Sequence, residues 1–209
     1  MCKNTIITLM NEDEVKVLVD DPDYKIFGTK LEGLFVFERK LYKDERGFYQ
    51  EFARTPAIEN VLGRKLEIKQ WALSYNNPGV LRGIHAEPQD KVLTPMSGKI
   101  FIAVVDIRPE SSTFGQYQTF NFDLTDPYTP KKSIIISKGL GNSFLTLGDS
   151  PVEYFYAVSE IYNPNGTKKA IRWNDPDLKI PWPEQPKIMS EDDKNKHPFL
   201  RDLFPEKFK

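Results

Sequence analysis

The sequence predicts an all-β fold, a sandwich or barrel built from many short strands. Sixteen prolines and twelve glycines interrupt the 209 residues at short intervals. Between these breaks lie short runs rich in β-branched and aromatic residues, a pattern typical of antiparallel sheets. The length suits one domain of this class, and a hydrophobic content of 39% is sufficient for a substantial core.

Individual strands are predicted from runs bounded by turn residues. The alternation is clearest in 152–159, where Val152, Tyr154 and Tyr156 share one face and Glu153 falls on the other. The predicted strands are 33–41, 48–53, 66–75, 79–85, 91–96, 99–107, 116–124, 132–137, 143–147, 152–159 and 169–173.

Helical signals are few, and we expect short helices at the periphery of the sheets. One helix is predicted over 55–63, with Thr55 as its cap, Pro56 in its first turn and Gly63 at its end. The segment 190–193, Ser-Glu-Asp-Asp, has the composition of a second helix start.

The two ends of the chain differ from its centre. Residues 1–28 are more polar and acidic, so we interpret them as an N-terminal extension of a single domain spanning 29–209. The tail from Pro181 mixes charged residues with large apolar ones and is expected to pack on the outside of the barrel. Its apolar residues are Trp182, Phe199, Leu200, Leu203 and Phe204.

Charge and hydropathy exclude several classes of function. A net charge of -1 provides no overall attraction for nucleic acid or an anionic membrane surface. The apolar start of the chain is too short for a signal peptide, and runs such as 101–105 are far below membrane-spanning length. We therefore expect a cytoplasmic protein that binds neither nucleic acid nor membrane.

Cysteine and histidine counts limit the possible metal chemistry. Cys2 is the only cysteine, so neither an internal disulfide nor a cysteine-based metal site is expected. The only histidines are His85 and His197, too few for a site with three imidazoles. His197 lies in a charged tail and is expected to face solvent. No metal and no cofactor are expected.

The densest cluster of reactive residue types lies in 79–91. It combines a guanidinium (Arg82), an imidazole (His85) and an ammonium (Lys91) within one predicted hairpin. A histidine on a strand is more often structural, but these neighbours favour a functional site. Arg46, in the segment 43–51, can add a second guanidinium, although a turn followed by a strand also explains that segment.

The order of motifs from about Leu31 to the C-terminus resembles the dTDP-4-dehydrorhamnose 3,5-epimerase family. The resemblance implies a cupin-type jelly roll, a homodimer and a nucleoside-diphosphate-linked 4-keto-6-deoxy sugar as substrate. The motifs that carry it are Asp44-Glu45-Arg46-Gly47-Phe48-Tyr49-Gln50-Glu51, Gly79-Val80-Leu81-Arg82-Gly83-Ile84-His85, Gln89-Asp90-Lys91, Val105-Asp106-Ile107-Arg108, Ser112-Thr113-Phe114-Gly115, Tyr156, Tyr162-Asn163-Pro164, Trp173-Asn174-Asp175-Pro176-Asp177-Leu178 and Trp182-Pro183.

The resemblance also implies catalytic roles. The sugar ketone acidifies the adjacent C–H bonds at C3 and C5, so inversion needs a base, an opposite-face acid and positive charge near the enolate oxygen. His85 matches the base, and Asp175 the carboxylate that orients it. Tyr156 matches the acid and Lys91 the charge near the keto oxygen. From sequence alone, Asp175 also fits an ordinary turn before Pro176, and Tyr156 a core aromatic residue.

Substrate-binding positions follow from the same resemblance. Arg46 and Arg82 match diphosphate contacts, because guanidinium groups pair well with phosphate oxygens. The other matching positions are Tyr49, Glu51, Gln70, Ser74, Asn142 and Tyr162.

Two departures from the family pattern concern substrate choice. Asn142 stands where the family often has a second histidine, and it cannot be a general base at neutral pH. Ala72 stands where a binding asparagine is common. The stretch around Asn142 resembles a branch that acts on GDP-linked heptoses, so the sugar, its nucleotide and the inverted centre stay open.

Three alternatives have different chemistry. A sugar-nucleotide 3,4-ketoisomerase also carries an Arg-Gly-x-His segment, and a non-catalytic module would bind the sugar nucleotide without turnover. A metal-dependent cupin oxygenase is disfavoured because it usually needs several histidines around one ion.

Overall fold

The computed structural model describes residues 15–163 and 169–208, and these form two packed antiparallel sheets and a separate hairpin. The strands are β1 (Lys16–Asp20), β2 (Tyr24–Gly28), β3 (Leu34–Arg39), β4 (Leu41–Asp44), β5 (Gly47–Gln50), β6 (Gln70–Asn76), β7 (Leu81–Ala86), β8 (Lys91–Pro95), β9 (Gly98–Asp106), β10 (Tyr117–Leu124), β11 (Lys132–Ile136), β12 (Leu140–Leu147), β13 (Val152–Val158) and β14 (Lys169–Ala170). The large sheet has the strand order β1-β2-β3-β11-β8-β13-β6, the small sheet β10-β9-β12-β7-β14, and the hairpin joins β4 to β5. The all-β sandwich prediction is therefore confirmed.

Apolar side chains form three layers around the two sheets. The inner layer fills the space between the sheets and includes Ile102 and Phe120 from the small sheet and Ile134 from the large one. A second layer covers the outer face of the large sheet. The third lies between the small sheet and the C-terminal tail, and includes Leu200 and Phe204. The prediction that the tail packs on the outside is thus confirmed, because its apolar residues complete this third layer.

Helix α1 (Thr55–Leu62) covers the outer face of the large sheet. Its buried residue, Ile58, packs in the second layer. Pro56 lies in the first turn and Gly63 ends the helix with a left-handed φ of 67°, as predicted, whereas the cap is Arg54 instead of Thr55. A very short α2 (Leu200–Leu203) lies in the tail. None of the described helices is long and apolar enough to cross a membrane.

Every predicted strand overlaps an observed one, but β1, β2 and β4 were not predicted. β1 is mostly exposed and carries charged residues at both ends, so it lacks the burial pattern of a core strand. β1 and β2 extend the large sheet next to β3, so the described part of the presumed N-terminal extension is paired into the sheet. The helix start predicted at 190–193 leads instead into a π-helical turn, Asp192–Lys196.

A buried carboxylate, Asp106, holds the turn that follows β9. Its side chain is fully buried and accepts hydrogen bonds from Arg108 Nη2, Ser111 Oγ and Thr113 Oγ1, each at 2.6 Å. Burial alone would raise the pKa of Asp106, but these hydrogen bonds outweigh it, and the pKa lies below its ordinary value. The pair of Asp106 and Arg108 is therefore a structural element of this turn.

Replacing Asp106 by Asn removes the charge while keeping the size of the side chain. We expect a loss of about 2–4 kcal/mol in the free energy of unfolding at pH 7, because buried donors lose a charged acceptor. Because the pKa of Asp106 is lower in the folded protein than its ordinary value of 3.8, ionised Asp106 stabilises the folded state fully above that value, and this stabilisation is lost as the pH falls further. The difference in unfolding free energy between wild type and variant should therefore shrink below pH 3.8. Urea unfolding at several pH values measures this. Asp149→Asn, at an exposed turn, serves as the control, and equal losses in both variants would contradict the prediction.

Candidate active site

An irregularity in β7 places Arg82 and His85 on the same face of the small sheet. In the pairing with β12, Asn142 is opposite His85 and Phe144 is opposite Arg82, so three steps along β7 match two along β12. In a regular strand, residues three apart point to opposite faces. The extra residue is a β-bulge, and it turns both side chains toward the inner side of the sandwich.

Gly83 allows β7 and β12 to approach closely at this bulge. Its φ is +114°, and a Cβ atom there would lie 2.6 Å from the carbonyl oxygen of Asn142. Any larger residue would clash with the backbone and adopt a disfavoured φ. The glycine of the Arg-Gly-Ile-His segment is therefore required by the geometry of the site.

Asp193, in the C-terminal tail, forms a hydrogen bond with the His85 imidazole. The distance from His85 Nε2 to Asp193 Oδ1 is 2.7 Å, and the two residues are 108 positions apart in sequence. Burial would raise the pKa of Asp193, but the hydrogen bond and charge of His85 outweigh it, and the pKa lies below its ordinary value. Because an ionised carboxylate only accepts hydrogen bonds, the neutral form of His85 in this arrangement has its proton on Nε2 and its lone pair on Nδ1.

The prediction that Asp175 orients His85 is wrong. Asp175 Oδ1 accepts the backbone N–H groups of Asp177 at 2.8 Å and Leu178 at 3.2 Å, and Oδ2 accepts that of Leu200 at 2.6 Å. The buried side chain of Asp175 therefore closes a turn and fixes the start of α2. Its carboxylate oxygens are already committed to the backbone, and this is the turn interpretation that the sequence left open.

The prediction that His197 faces solvent is also wrong. Its side chain is only 14% exposed, and its Nε2 lies 3.2 Å from the same oxygen, Oδ1 of Asp193, that contacts His85. The rings of His85 and His197 meet edge to face with centroids 5.8 Å apart. The turn Asp192–Lys196 brings His197 back over Asp193, so both histidines of the chain lie in one site.

Lys91, at the start of β8, forms the centre of a second polar group. Its Nζ donates to Oδ1 of Asn142 and lies 2.6 Å from Oε2 of Glu87. The lysine is 4% exposed, and burial lowers its pKa while the Glu87 carboxylate counteracts that effect. Asn142 also pairs with His85 across β12 and β7, so the lysine and the imidazole are linked through one residue.

Tyr156, on β13 of the large sheet, faces the inner side of the sandwich. It is opposite Leu93 of β8, and it packs against the inner apolar layer together with Tyr154. Since Lys91 and Leu93 are two residues apart, Lys91 shares that face. The predicted acid and the predicted lysine thus lie on adjacent strands of the large sheet, while His85 lies on the facing sheet.

The predicted binding residues near β6 fall into two small networks. Arg82 Nε donates to Oδ1 of Asn76 at 2.9 Å, and Nδ2 of Asn76 reaches Oγ of Ser74 at 3.1 Å. Gln70 Oε1 accepts the backbone N–H of Tyr162 at 2.6 Å. Gln70, Ala72 and Ser74 alternate with exposed residues along β6 and lie opposite the β13 positions 158, 156 and 154.

The other three predicted binding residues lie on or beside the β4–β5 hairpin. Arg46 is at its tip, with its side chain 84% exposed and paired with Asp44 at 2.5 Å. The Tyr49 ring, also exposed, contacts Tyr42. Glu51 pairs with Arg54 at 2.7 Å. Within the described residues these contacts stay between residues 42 and 54, and none of them reaches His85, Asp193 or His197.

Sequence reasoning missed three residues of the site, namely Asp193, His197 and Glu87. The acidic run 190–193 was interpreted only as a helix start, although a carboxylate is also the natural partner for an imidazole. Glu87 follows His85 by two residues and lies within the cluster 79–91, but the sequence alone assigns it no role. Its pairing with a buried lysine gives it a role at the site.

The fold and the site together define a cupin-like jelly-roll protein with a candidate acid–base site. A sequence profile of the dTDP-4-dehydrorhamnose 3,5-epimerase family matches residues 28–202. The chain belongs to the dTDP-4-dehydrorhamnose 3,5-epimerase family, whose members are isomerase-class enzymes.

Individual relatives and solved structures agree with this assignment. The chain is 32% identical to the dTDP-4-dehydrorhamnose 3,5-epimerase of Shigella flexneri over 84% of its own length and 96% of that protein. The structure superposes on NovW, a 4-keto-6-deoxy sugar epimerase from Streptomyces spheroides, with a TM-score of 0.80, 26% identity and coverage of 91% and 94%. For the Legionella pneumophila 3,5-epimerase in complex with dTDP-4-keto-L-rhamnose, the TM-score is 0.77, with 31% identity and coverage of 88% and 96%. The predicted cupin-type jelly roll and the predicted family are confirmed.

Gly83→Ala tests the close approach at the β7 bulge. We expect it to reduce the free energy of unfolding by more than about 3 kcal/mol, because the new methyl group both clashes and requires a disfavoured φ. Gly63→Ala is a matched control, since Gly63 also has a positive φ of 67° but open space around its Cβ position, and should cost only about 1–2 kcal/mol. Thermal and urea unfolding measure both, and a smaller loss at Gly83 than at Gly63 would refute the steric argument.

Proposed function

We propose that this protein epimerises C3, C5 or both in a nucleoside-diphosphate-linked 4-keto-6-deoxy sugar, without a cofactor. The support is the hydrogen-bonded pair of His85 and Asp193, linked through Asn142 to the buried Lys91, in a chain of this epimerase family. Together these residues provide a base and a positive charge. This combination fits proton abstraction beside a ketone.

His85 is the proposed base through Nδ1. Asp193 holds the Nε2 proton and stabilises the imidazolium that forms after proton abstraction, as a carboxylate does for the histidine of a hydrolase triad. Asn142, opposite His85, supplies a hydrogen bond but no base. Across β7 and β12, His85 is therefore the candidate base and Asn142 is not.

Lys91 is proposed to stabilise the enolate oxygen, and Tyr156 to return the proton from the other side. The ammonium form of Lys91 is supported by Glu87 at 2.6 Å, which offsets the cost of burial. Tyr156 lies on the large sheet, whereas His85 lies on the small one. A planar enolate between the two sheets would have the base on one face and the phenol on the other.

Nucleotide recognition is proposed to depend on exposed cations. Arg82 shares the inner face with His85 and is exposed, so it can contact a diphosphate while Asn76 holds its Nε. Arg46, Tyr49 and Glu51 retain their proposed binding roles on the strength of the family resemblance. Solved relatives are complexes with dTDP-4-keto-L-rhamnose and dTDP-quinovose. The departures at Asn142 and Ala72 leave the sugar and nucleotide of this chain to experiment.

A homodimer is the proposed assembly. β6 is an edge strand of the large sheet, and its outward face carries Trp71, Leu73 and Tyr75, each at least 60% exposed. An apolar stripe on an open sheet edge is typical of a surface that pairs with another chain. A cytoplasmic location and a single domain over 29–209 also remain predictions.

Deuterium exchange tests the reaction directly. Incubation with dTDP-, GDP-, CDP- and UDP-linked 4-keto-6-deoxy sugars in deuterated water should place deuterium at C3 or C5 of at least one of them. Mass spectrometry and product NMR locate the label and the configuration. Exchange with none of these sugars would refute the epimerase proposal, and a carbonyl moved from C4 to C3 would identify a ketoisomerase.

Substitutions of the two aspartates separate the catalytic pair from the structural turn. We expect His85→Asn and Asp193→Asn to lower the exchange rate by about 10²–10⁴-fold, because base strength and orientation are lost. Asp175→Asn should destabilise the fold by about 1–3 kcal/mol while leaving the rate within about tenfold of wild type. A larger rate loss in Asp175→Asn than in Asp193→Asn would restore the original assignment of the orienting carboxylate.

Leu73→Lys tests the assembly. A charge in the centre of the β6 stripe should weaken the dimer at least about tenfold, since an unpaired charge at an apolar interface is costly. Light scattering coupled to size exclusion measures the mass over a range of concentrations. Val17→Lys places the same charge on β1, at the opposite edge of the large sheet, and should leave the dimer intact.

A further inference from the structure

Three side chains of the site present metal-binding atoms to one another. One ligand atom from each of His85, Asp193 and His197 lies within 4.8 Å of the ligand atoms of the other two. The Nε2 atoms of His85 and His197 are 2.7 Å and 3.2 Å from the shared oxygen, Oδ1 of Asp193. Around a tetrahedral zinc ion with bonds of about 2.0–2.2 Å, neighbouring ligand atoms are roughly 3.3 Å apart. Shifts of about an ångström or less would bring the two nitrogen–oxygen distances to the spacing of ligand atoms around a zinc ion.

The backbone around the three ligands is already fixed. His85 lies on the paired strand β7, and the backbone N–H of Asp193 donates to Oγ of Ser190 at 3.1 Å. Arg172 donates to the carbonyl of His197 at 2.9 Å and to that of Asn195 at 2.8 Å. A chelating group that is held in place before the ion arrives loses little conformational freedom on binding.

We propose that His85, Asp193 and His197 form a reversible binding site for a zinc-type divalent cation, and that the bound ion blocks the catalytic base. Two imidazoles and one carboxylate are ligands that suit zinc and cobalt better than magnesium or calcium, which prefer all-oxygen sites. The ion is an inhibitor in this proposal and not a cofactor. The earlier exclusion of a three-imidazole site still holds, because a carboxylate supplies the third ligand.

Inhibition follows from the tautomer of His85. A neutral imidazole has one N–H, so coordination through Nε2 requires the proton to sit on Nδ1. Nδ1 is the lone-pair atom that the proposed function assigns to proton abstraction, and protonating it removes the base. This consequence rests on the proposed function, whereas the binding of the ion does not.

Binding is tested on the whole protein with Zn²⁺ by calorimetry and with Co²⁺ by visible absorption, after removal of metals with EDTA. We expect one ion per chain, and visible bands of Co²⁺ with low coordination number. His197→Ala should weaken binding of the ion at least about tenfold. Loss of a residue that only supports a ligand already costs about tenfold, and His197 is itself a ligand in this proposal. His197→Gln provides a second variant of similar size, and circular dichroism verifies that both fold. Lys196→Ala changes an exposed neighbour in the same turn and should bind like wild type.

The outcomes separate the site from the reaction. No Zn²⁺ binding at millimolar concentration, or equal binding by wild type and both His197 variants, would overturn the proposed site. Zn²⁺ binding without loss of deuterium exchange would overturn the inhibitory role. If the ion binds as expected but the metal-free protein exchanges no ketosugar, the metal site stands and the proposed epimerase function fails.

Discussion

The hydrogen bond between His85 and Asp193 is the interaction on which the site depends. It joins a strand of the small sheet to a turn 108 residues further along the chain. The tail can reach this position because its apolar residues, including Leu200 and Phe204, pack against the outer face of the small sheet. Burial of apolar surface thus determines where a single carboxylate lies, and that carboxylate determines which nitrogen of His85 is free.

Burial also explains the arrangement around Lys91. An isolated buried ammonium would favour its neutral form, because removal from water is costly. Glu87 and Asn142 offset this cost with an ion pair and a hydrogen bond. These two contacts hold the Lys91 side chain in one orientation, so that its ammonium form is a fixed charge. Such fixed charges are effective where negative charge develops during a reaction, because they need no reorganisation.

Most of the fold could be predicted from the sequence, since turn residues and alternating burial are local signals. The clearest case is β13, whose inward residues were identified by their period alone. Strand β1 was missed because it is exposed and lacks that period. The bulge at Gly83 was not predicted either, because an extra residue in one strand is visible only against its partner.

The site residues could be predicted where they lie close together in one strand or hairpin, as Arg82, His85 and Lys91 do. The carboxylate that pairs with His85 could not be predicted, because either of two acidic turns in the C-terminal region could supply it. Asp175 lies two residues after Trp173 in a turn that resembles the family pattern, whereas Asp193 lies in an acidic run that looks like a helix start. Only the three-dimensional contacts distinguish an aspartate that binds backbone amides from one that binds an imidazole.

The tail that supplies Asp193 has a consequence for thermal inactivation. In a native protein, segments held by few contacts can open locally while the rest stays folded. The turn Asp192–Lys196 is largely exposed, whereas β7 is paired on both sides within the small sheet. Detachment of the tail would therefore separate the imidazole from its carboxylate before the sheets come apart. On heating, enzymatic activity would decline at a lower temperature than the circular dichroism signal of the β-structure.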